Sequence, residues 1–119
     1  WYVVKGIRAD GVEVDPFWRR DSVSFAKPAV LSETMNIRWR EFFFRLQRDK
    51  RDPRWASFGR WLCRAWNETH AGPERLDRAY VYFVEETTRR PAGKTDGTLT
   101  LMAHRCEDAD QGVASASRR

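Results

Sequence analysis

The sequence predicts an α+β fold: a small antiparallel sheet of two hairpins with a helical hairpin packed on one face. Three observations lead there. Aromatic and β-branched runs fall toward the two ends of the chain, at Trp1–Arg8 with Val12–Val14 and at Arg78–Thr87 with Thr98–His104. Between them, two stretches place apolar residues at helical spacing. The resulting order, ββααββ, segregates strands from helices, which favours an antiparallel sheet with the helices on one side. The 119 residues suit one domain. That domain is expected over residues 1–106, with 107–119 a disordered tail that carries no apolar period. The chain opens on Trp1 and reads as a piece of something longer.

The first strand is Trp1 to Arg8, where Gly6 marks a bulge or a close backbone approach. Ala9-Asp10-Gly11 is a tight-turn signal, with Gly11 able to take positive φ. Val12 and Val14 alternate with Glu13 and Asp15, so a second strand returns along the first, and Asp15-Pro16 ends it. Residues 17–34 have no period. Phe17, Trp18 and Phe25 are expected to pin this loop to the core, with Pro28 keeping it extended. From 37 to 50, Trp39, Phe42, Phe43 and Leu46 form one helical stripe, capped by Asn36. Asp52-Pro53 is the strongest start signal, an N-cap acid before a proline at the first helical position. The helix after it lines up Trp55, Phe58, Gly59, Leu62 and Ala65 or Trp66. Gly59 costs roughly 1 kcal/mol in helix propensity, so contact with another backbone is the expected compensation. Gly72, in the left-handed region, and Pro73 stop the helix. Arg78–Thr87, apolar on both faces, is expected at the centre of the sheet with something packed on each side. Residues 88–97 read as a mobile polar loop. Thr98–His104 reads as the return strand, with Leu99, Leu101 and Ala103 facing in.

Composition bounds the function. Six Trp and 13% aromatics can build a core at this length. No apolar run reaches 18 residues, so this stretch does not cross a bilayer as a helix. The formal charge is +5, and it is localised: residues 35–70 hold nine basic and four acidic groups, while residues 1–34 hold five of each. Eighteen of the 22 basic residues are Arg, the side chain suited to phosphate, carboxylate and aromatic faces. The excess reads as a solvated helical face, an anionic-lipid surface or a nucleic-acid surface.

Little in the chain points to catalysis. His70 and His104 have no partner at i+3 or i+4, so no helical metal pair exists. His70, near a helix end, reads as a favourable cation at the C-terminal dipole. No glycine-rich phosphate loop or nucleophile elbow occurs. Glu85 and Glu86 point to opposite faces of a strand. Cys63 and Cys106 permit one bridge or none, and the helical setting of Cys63 favours free, partly buried thiols. An enzyme would need a concave site joining Cys63, Cys106 or His104. Trp61 lies off the main stripe and suits either a second packing partner or a membrane interface; Trp66 reads as core.

Several strings resemble one family. They are the opening strand with Ala9-Asp10-Gly11-Val12-Glu13-Val14-Asp15, Lys27-Pro28, Asn36-Ile37-Arg38-Trp39-Arg40, Trp61-Leu62-Cys63-Arg64-Ala65-Trp66-Asn67, Tyr80-Val81-Tyr82-Phe83-Val84-Glu85-Glu86-Thr87 and Cys106. Over about residues 1–106 the chain resembles the soluble C-terminal region of bacterial HTTM (horizontally transferred transmembrane domain) proteins, which are related to the vitamin K-dependent gamma-carboxylase. The resemblance implies a water-side appendage of a multipass membrane protein, with Trp1-Tyr2 just after the last span. The carboxylase chemistry belongs to the membrane-embedded part, so no catalytic residue, cofactor or metal carries over to this fragment. The expected function is docking, on the transmembrane part of the same chain or on anionic headgroups, through Arg38, Arg40, Arg45, Arg48, Lys50 and Arg51. The side of the membrane stays open. The alternative is a non-specific basic nucleic-acid-binding domain; no reading motif accompanies the charge, so nucleic acid is the weaker partner.

Overall fold

The computed structural model describes residues 1–27, 36–89 and 93–106. The expectations for Pro28 and for the tail 107–119 lie outside them. The described elements are β1 (Tyr2–Arg8), β2 (Glu13–Val14), α1 (Ile37–Leu46), α2 (Pro53–Asn67), a 3-10 turn (Gly72–Glu74), β3 (Leu76–Arg89) and β4 (Gly93–Arg105). The strands form one antiparallel sheet in the order β2-β1-β3-β4. The α+β class and the order of elements match the sequence reading. The two hairpins are joined by β1 pairing with β3, from Tyr2 opposite Phe83 to Ile7 opposite Arg78.

The turn at Gly11 forms as its sequence requires. Gly11 has φ +90°, its N–H donates to the Arg8 carbonyl at 2.9 Å, and the Asp10 carboxylate accepts from the Val12 N–H at 3.2 Å. β2 is shorter than expected, and Val12 lies outside it, exposed. Gly6 answers to side chains rather than to backbone: a Cβ there would collide with Leu76 Cδ1 and lie 3.2 Å from the Pro16 ring.

β3 is central, between β1 and β4. Ala79 and Val81 are buried in the core on the helical side. The opposite side is more thinly covered: Phe25 meets Tyr82 at 5.3 Å, and the Lys5 ammonium lies 5.3 and 5.4 Å from the Tyr80 and Tyr82 rings. Phe17 packs against Trp39 and Phe43 on the helical side, so the loop between Phe17 and Phe25 crosses the edge of β1 that β2 leaves open. Trp18 is displayed outward rather than pinned.

Two readings of the second hairpin are corrected. The polar stretch 88–97 is not all loop: β3 runs to Arg89 and β4 restarts at Gly93, paired register by register. This part of the hairpin extends past the last residue of β3 that pairs with β1. The inward set on β4 also differs. The register shifts between Val81 and Tyr82, so that Val81 faces Met102 while Tyr82 faces Thr100. The extra residue, Leu101, is a bulge. One inserted residue inverts the alternation beyond it. Leu101, Met102 and Cys106 therefore join the core, Ala103 turns out, and Leu99 is exposed on the ribbon.

Both helix starts form as read. Asn36 accepts from the Trp39 N–H at 3.0 Å, and Asp52 accepts from the Arg54 N–H at 2.9 Å with Pro53 at the first helical position. Phe43 meets Trp55 and Phe58, and Trp39, one turn earlier, meets Phe58 and Trp61. Partners that advance along α2 as α1 is followed backwards describe an antiparallel pair. The Trp55 indole N–H donates to the Leu46 carbonyl at 3.0 Å, which also accepts from the Asp49 N–H at 3.1 Å, at the end of α1. Helix α2 ends at Asn67, earlier than Gly72; Gly72 is left-handed (φ +61°) but opens the 3-10 turn.

The cysteines are bridged, not free. Cys63 on α2 and Cys106 after β4 form a disulfide with Cα atoms 5.8 Å apart. The inverted alternation of β4 brings Cys106 to the face that carries α2. One turn before Cys63, Gly59 meets the His104 side chain. A Cβ on Gly59 would lie 2.5, 2.7 and 2.8 Å from His104 Cγ, Cβ and Cδ2, so the close partner is a ring and not a backbone.

Two outcomes test this packing. Reduction of the bridge, which closes a separation of 43 residues, should lower unfolding free energy by about 4 kcal/mol in the chain-entropy account, measured as urea unfolding with and without reductant. Gly59→Ala should destabilise by about 1–3 kcal/mol although alanine is the better helix former. Adding His104→Gly, which removes the Cβ as well as the ring, should recover part of that loss; additive effects of the two changes would reject the contact.

Candidate functional site

The most distinctive surface lies where α1, α2 and the 15–20 loop meet. Asp15 builds the loop: its N–H and carbonyl pair with Arg20 at 3.0 and 2.9 Å, and its carboxylate accepts from the Phe17 and Trp18 N–H groups at 3.0 Å each. Burial raises the Asp15 carboxyl above its ordinary pKa, and these two N–H bonds oppose that shift. Arg19 closes the loop in the left-handed region, φ 57°, a conformation that an L side chain rarely holds without support from its surroundings. The result displays Trp18, with the Arg20 guanidinium 5.8 Å from its ring.

From Trp18 the rings continue inward and out again. Phe17 meets Trp18 at 5.2 Å and Trp39 at 5.0 Å, and Trp39 meets Trp61 at 5.8 Å. Trp39, Phe42, Phe58 and Trp61 form a shallow, open hollow of about 540 Å³ whose charged lining residues, among those described, are Arg38 and Arg54. Trp61, left open by the sequence, is 43% exposed and stacks on both Trp39 and Phe58. Trp66, read as core, is 1% exposed.

The six cations expected to act together do not form one cluster. Arg38 lines the aromatic hollow. Arg45 and Arg48 are exposed on α1 and beyond it, with the Arg48 guanidinium 5.5 Å from the exposed Phe44 ring. Arg40 is partly buried, and its Nε has no hydrogen-bond partner. At 100° per residue it sits across α1 from Arg38 and Arg45, on the flank where Gln47 accepts from the Tyr2 hydroxyl at 2.6 Å. Lys50 and Arg51 are at the turn between the helices, beside Thr100–His104 of β4. The sequence reading omitted Arg54. Its guanidinium bonds the Asp52 cap at 2.8 and 3.1 Å and lines the hollow. Its place four residues before Phe58 and seven before Trp61 was the available signal.

Other candidate chemistry is accounted for. The bridged cysteines present no thiolate. His70 stacks on Trp66 at 4.0 Å, and its Nδ1 lies 2.9 Å from the Trp66 carbonyl, so that nitrogen carries the proton it donates. This places His70 at the end of α2, as read. Among the described residues no group of three or more His, Cys, Asp or Glu is arranged to hold a metal ion, and no helix is long and apolar enough to cross a membrane. Comparison with protein-family models, curated proteins and solved structures gives no match.

The Asp52 cap supplies a pH test. Its pKa is lowered, chiefly by the hydrogen bond from Arg54 and then by the Arg54 backbone N–H. A depressed folded-state value contributes stability above the ordinary aspartate pKa of 3.8, and this contribution disappears as pH falls below it. Thermal midpoints followed downward from pH 5 should drop less steeply in Asp52→Asn than in the parent. Parallel profiles would remove the carboxylate from the account.

Proposed function

We propose that this chain is a non-catalytic docking domain on the water side of a multipass membrane protein of the HTTM type. It meets the membrane part of its own parent or the adjoining headgroups through the helical layer. One observation carries the reading: exposed arginines and exposed apolar side chains share that layer. Arg38 and Arg45 stand beside Ile37, 62% exposed, and Phe44, 52% exposed. A solvated face would ordinarily keep such apolar groups covered, whereas an interface uses them beside cations. Each arginine near an anionic surface contributes about 1 kcal/mol, so a few suffice for docking of a tethered domain.

The buried disulfide supports the oxidising side of the membrane. Bridges persist outside the reducing cytosol. The basic composition points the other way, but the positive-inside bias acts through short loops, and longer domains translocate largely regardless of charge. The disulfide is therefore the weightier indication.

Two measurements check the proposal. The reading frame upstream of Trp1 should encode several apolar spans of about 20 residues; a frame without them rejects the membrane assignment. Acid-quenched cells expressing the full protein, alkylated without reductant, should show both Cys63 and Cys106 blocked. Free thiols at both positions would move the domain to a reducing compartment.

A further inference from the structure

We propose that the aromatic ridge Trp18–Phe17–Trp39–Trp61, with Arg38 and Arg54 beside it, is a binding surface for an anionic bilayer and enters the headgroup layer edge-on. The inference rests on the docking role above and names its face and its ligand.

The first argument is the division among the indoles. Trp55 and Trp66 are buried, and each N–H is used internally, on the Leu46 carbonyl at 3.0 Å and the Glu74 carbonyl at 2.9 Å. The indole N–H groups of Trp18, Trp39 and Trp61 donate to no acceptor among the described residues, and none of the three is a buried orphan. An apolar ring with a free donor at a wet edge suits a boundary between hydrocarbon and water. Lipid phosphate and ester oxygens supply acceptors at that depth.

The second argument is charge complementarity. The hollow is largely apolar, and among the described residues its charged lining groups are two arginines. Asp52 is the acid bonded to one of them, Arg54. Arg38 has no ion pair among the described residues, which leaves its guanidinium available to phosphate.

The third argument is stacking. Trp61 stacks on Trp39 and Phe58, at 29° to each with centroids 5.8 Å apart, so part of its ring face is taken by neighbours within the protein. A nucleic acid that stacks its bases needs open faces; a bilayer needs only apolar edges and a donor. The open shape of the hollow likewise favours an extended surface over an enclosed small molecule.

The test uses the 119-residue chain with vesicles of phosphatidylcholine alone and of phosphatidylcholine with 30% phosphatidylglycerol. Partitioning is read by sedimentation and by tryptophan emission. Binding to the anionic vesicles should come with a blue shift and with quenching by lipids brominated near the headgroup. Trp61→Ser should weaken partitioning about tenfold through lost apolar burial, and Arg38→Gln about fivefold. Trp18→Ser serves as the second ridge variant in case Trp61→Ser disturbs the helical pair. Leu99→Ser, exposed on β4 and away from the helical layer, should leave partitioning unchanged. No binding to either vesicle, binding insensitive to both tryptophan changes, or preference for single-stranded DNA over vesicles would overturn the proposal. None of these outcomes bears on the upstream spans, so the ridge can fail while the membrane assignment stands. Free 10 mM inorganic phosphate should not compete; full competition would assign Arg38 to a soluble anion instead.

Discussion

The structure depends on how closely α2 can approach the sheet. Four large side chains, Trp55, Phe58, Leu62 and Trp66, supply the buried area. Area alone does not fix the distance between a helix and a strand. Gly59 and Cys63 do that, four residues apart and so on one side of α2. Gly59 leaves room for the His104 ring, and Cys63 is joined covalently to Cys106. These partners lie two residues apart in sequence, on a segment that a bulge has turned toward the helix. Everything on the helical side then follows from that approach. α1 is held through Phe43, between Trp55 and Phe58, and the loop after β2 is held through Phe17 against the same cluster.

That chain of dependence explains why the ridge is orderly although its tips are exposed. Each exposed indole rests on a ring that is better buried: Trp18 on Phe17, Trp61 on Phe58. Offset and edge-to-face aromatic pairs have geometric preferences beyond simple burial. A surface built this way can present apolar edges without the rotamer freedom that long aliphatic side chains would lose on contact. Rigidity of the presenting elements matters in the same sense, since two of the three tryptophans stand on capped helices and the third on a loop closed by Asp15 and Arg20.

The elements were legible where one periodicity dominated. The stripe Trp39, Phe43, Leu46 and the start Asp52-Pro53 each carry a local signal, and local signals survive folding. The sheet was legible only in part. The polar ribbon past Thr87 lacks apolar alternation in its sequence, so its strands read as loop. The bulge at Leu101 has no signature, since Leu101, Met102 and Ala103 are all compatible with either face. Pairing of the cysteines was hidden for the same reason: the facing of Cys106 depends on the bulge, not on its neighbours in sequence. At the candidate surface, aromatic content and arginine excess were both visible, but their juxtaposition was not. It arises from the antiparallel meeting of α1 and α2, which brings Arg38 and Trp39 of one helix beside Arg54 and Trp61 of the other.

The dispersal of the cations limits what charge can do here. Screened charges act independently beyond a Debye length of about 8 Å at physiological ionic strength. A patch gathered within that distance would make binding steep in salt and indifferent to shape. Arg38, Arg45 and Arg48, Arg40, and Lys50 with Arg51 instead lie in four settings around the helical layer. In the proposed docking such an arrangement would draw the layer toward an anionic surface from many orientations and select among them weakly. Orientation has to come from contacts of shorter range. In the docking proposed above, the aromatic edges and their indole donors supply those contacts, so that the cations would set the rate of encounter and the rings the pose.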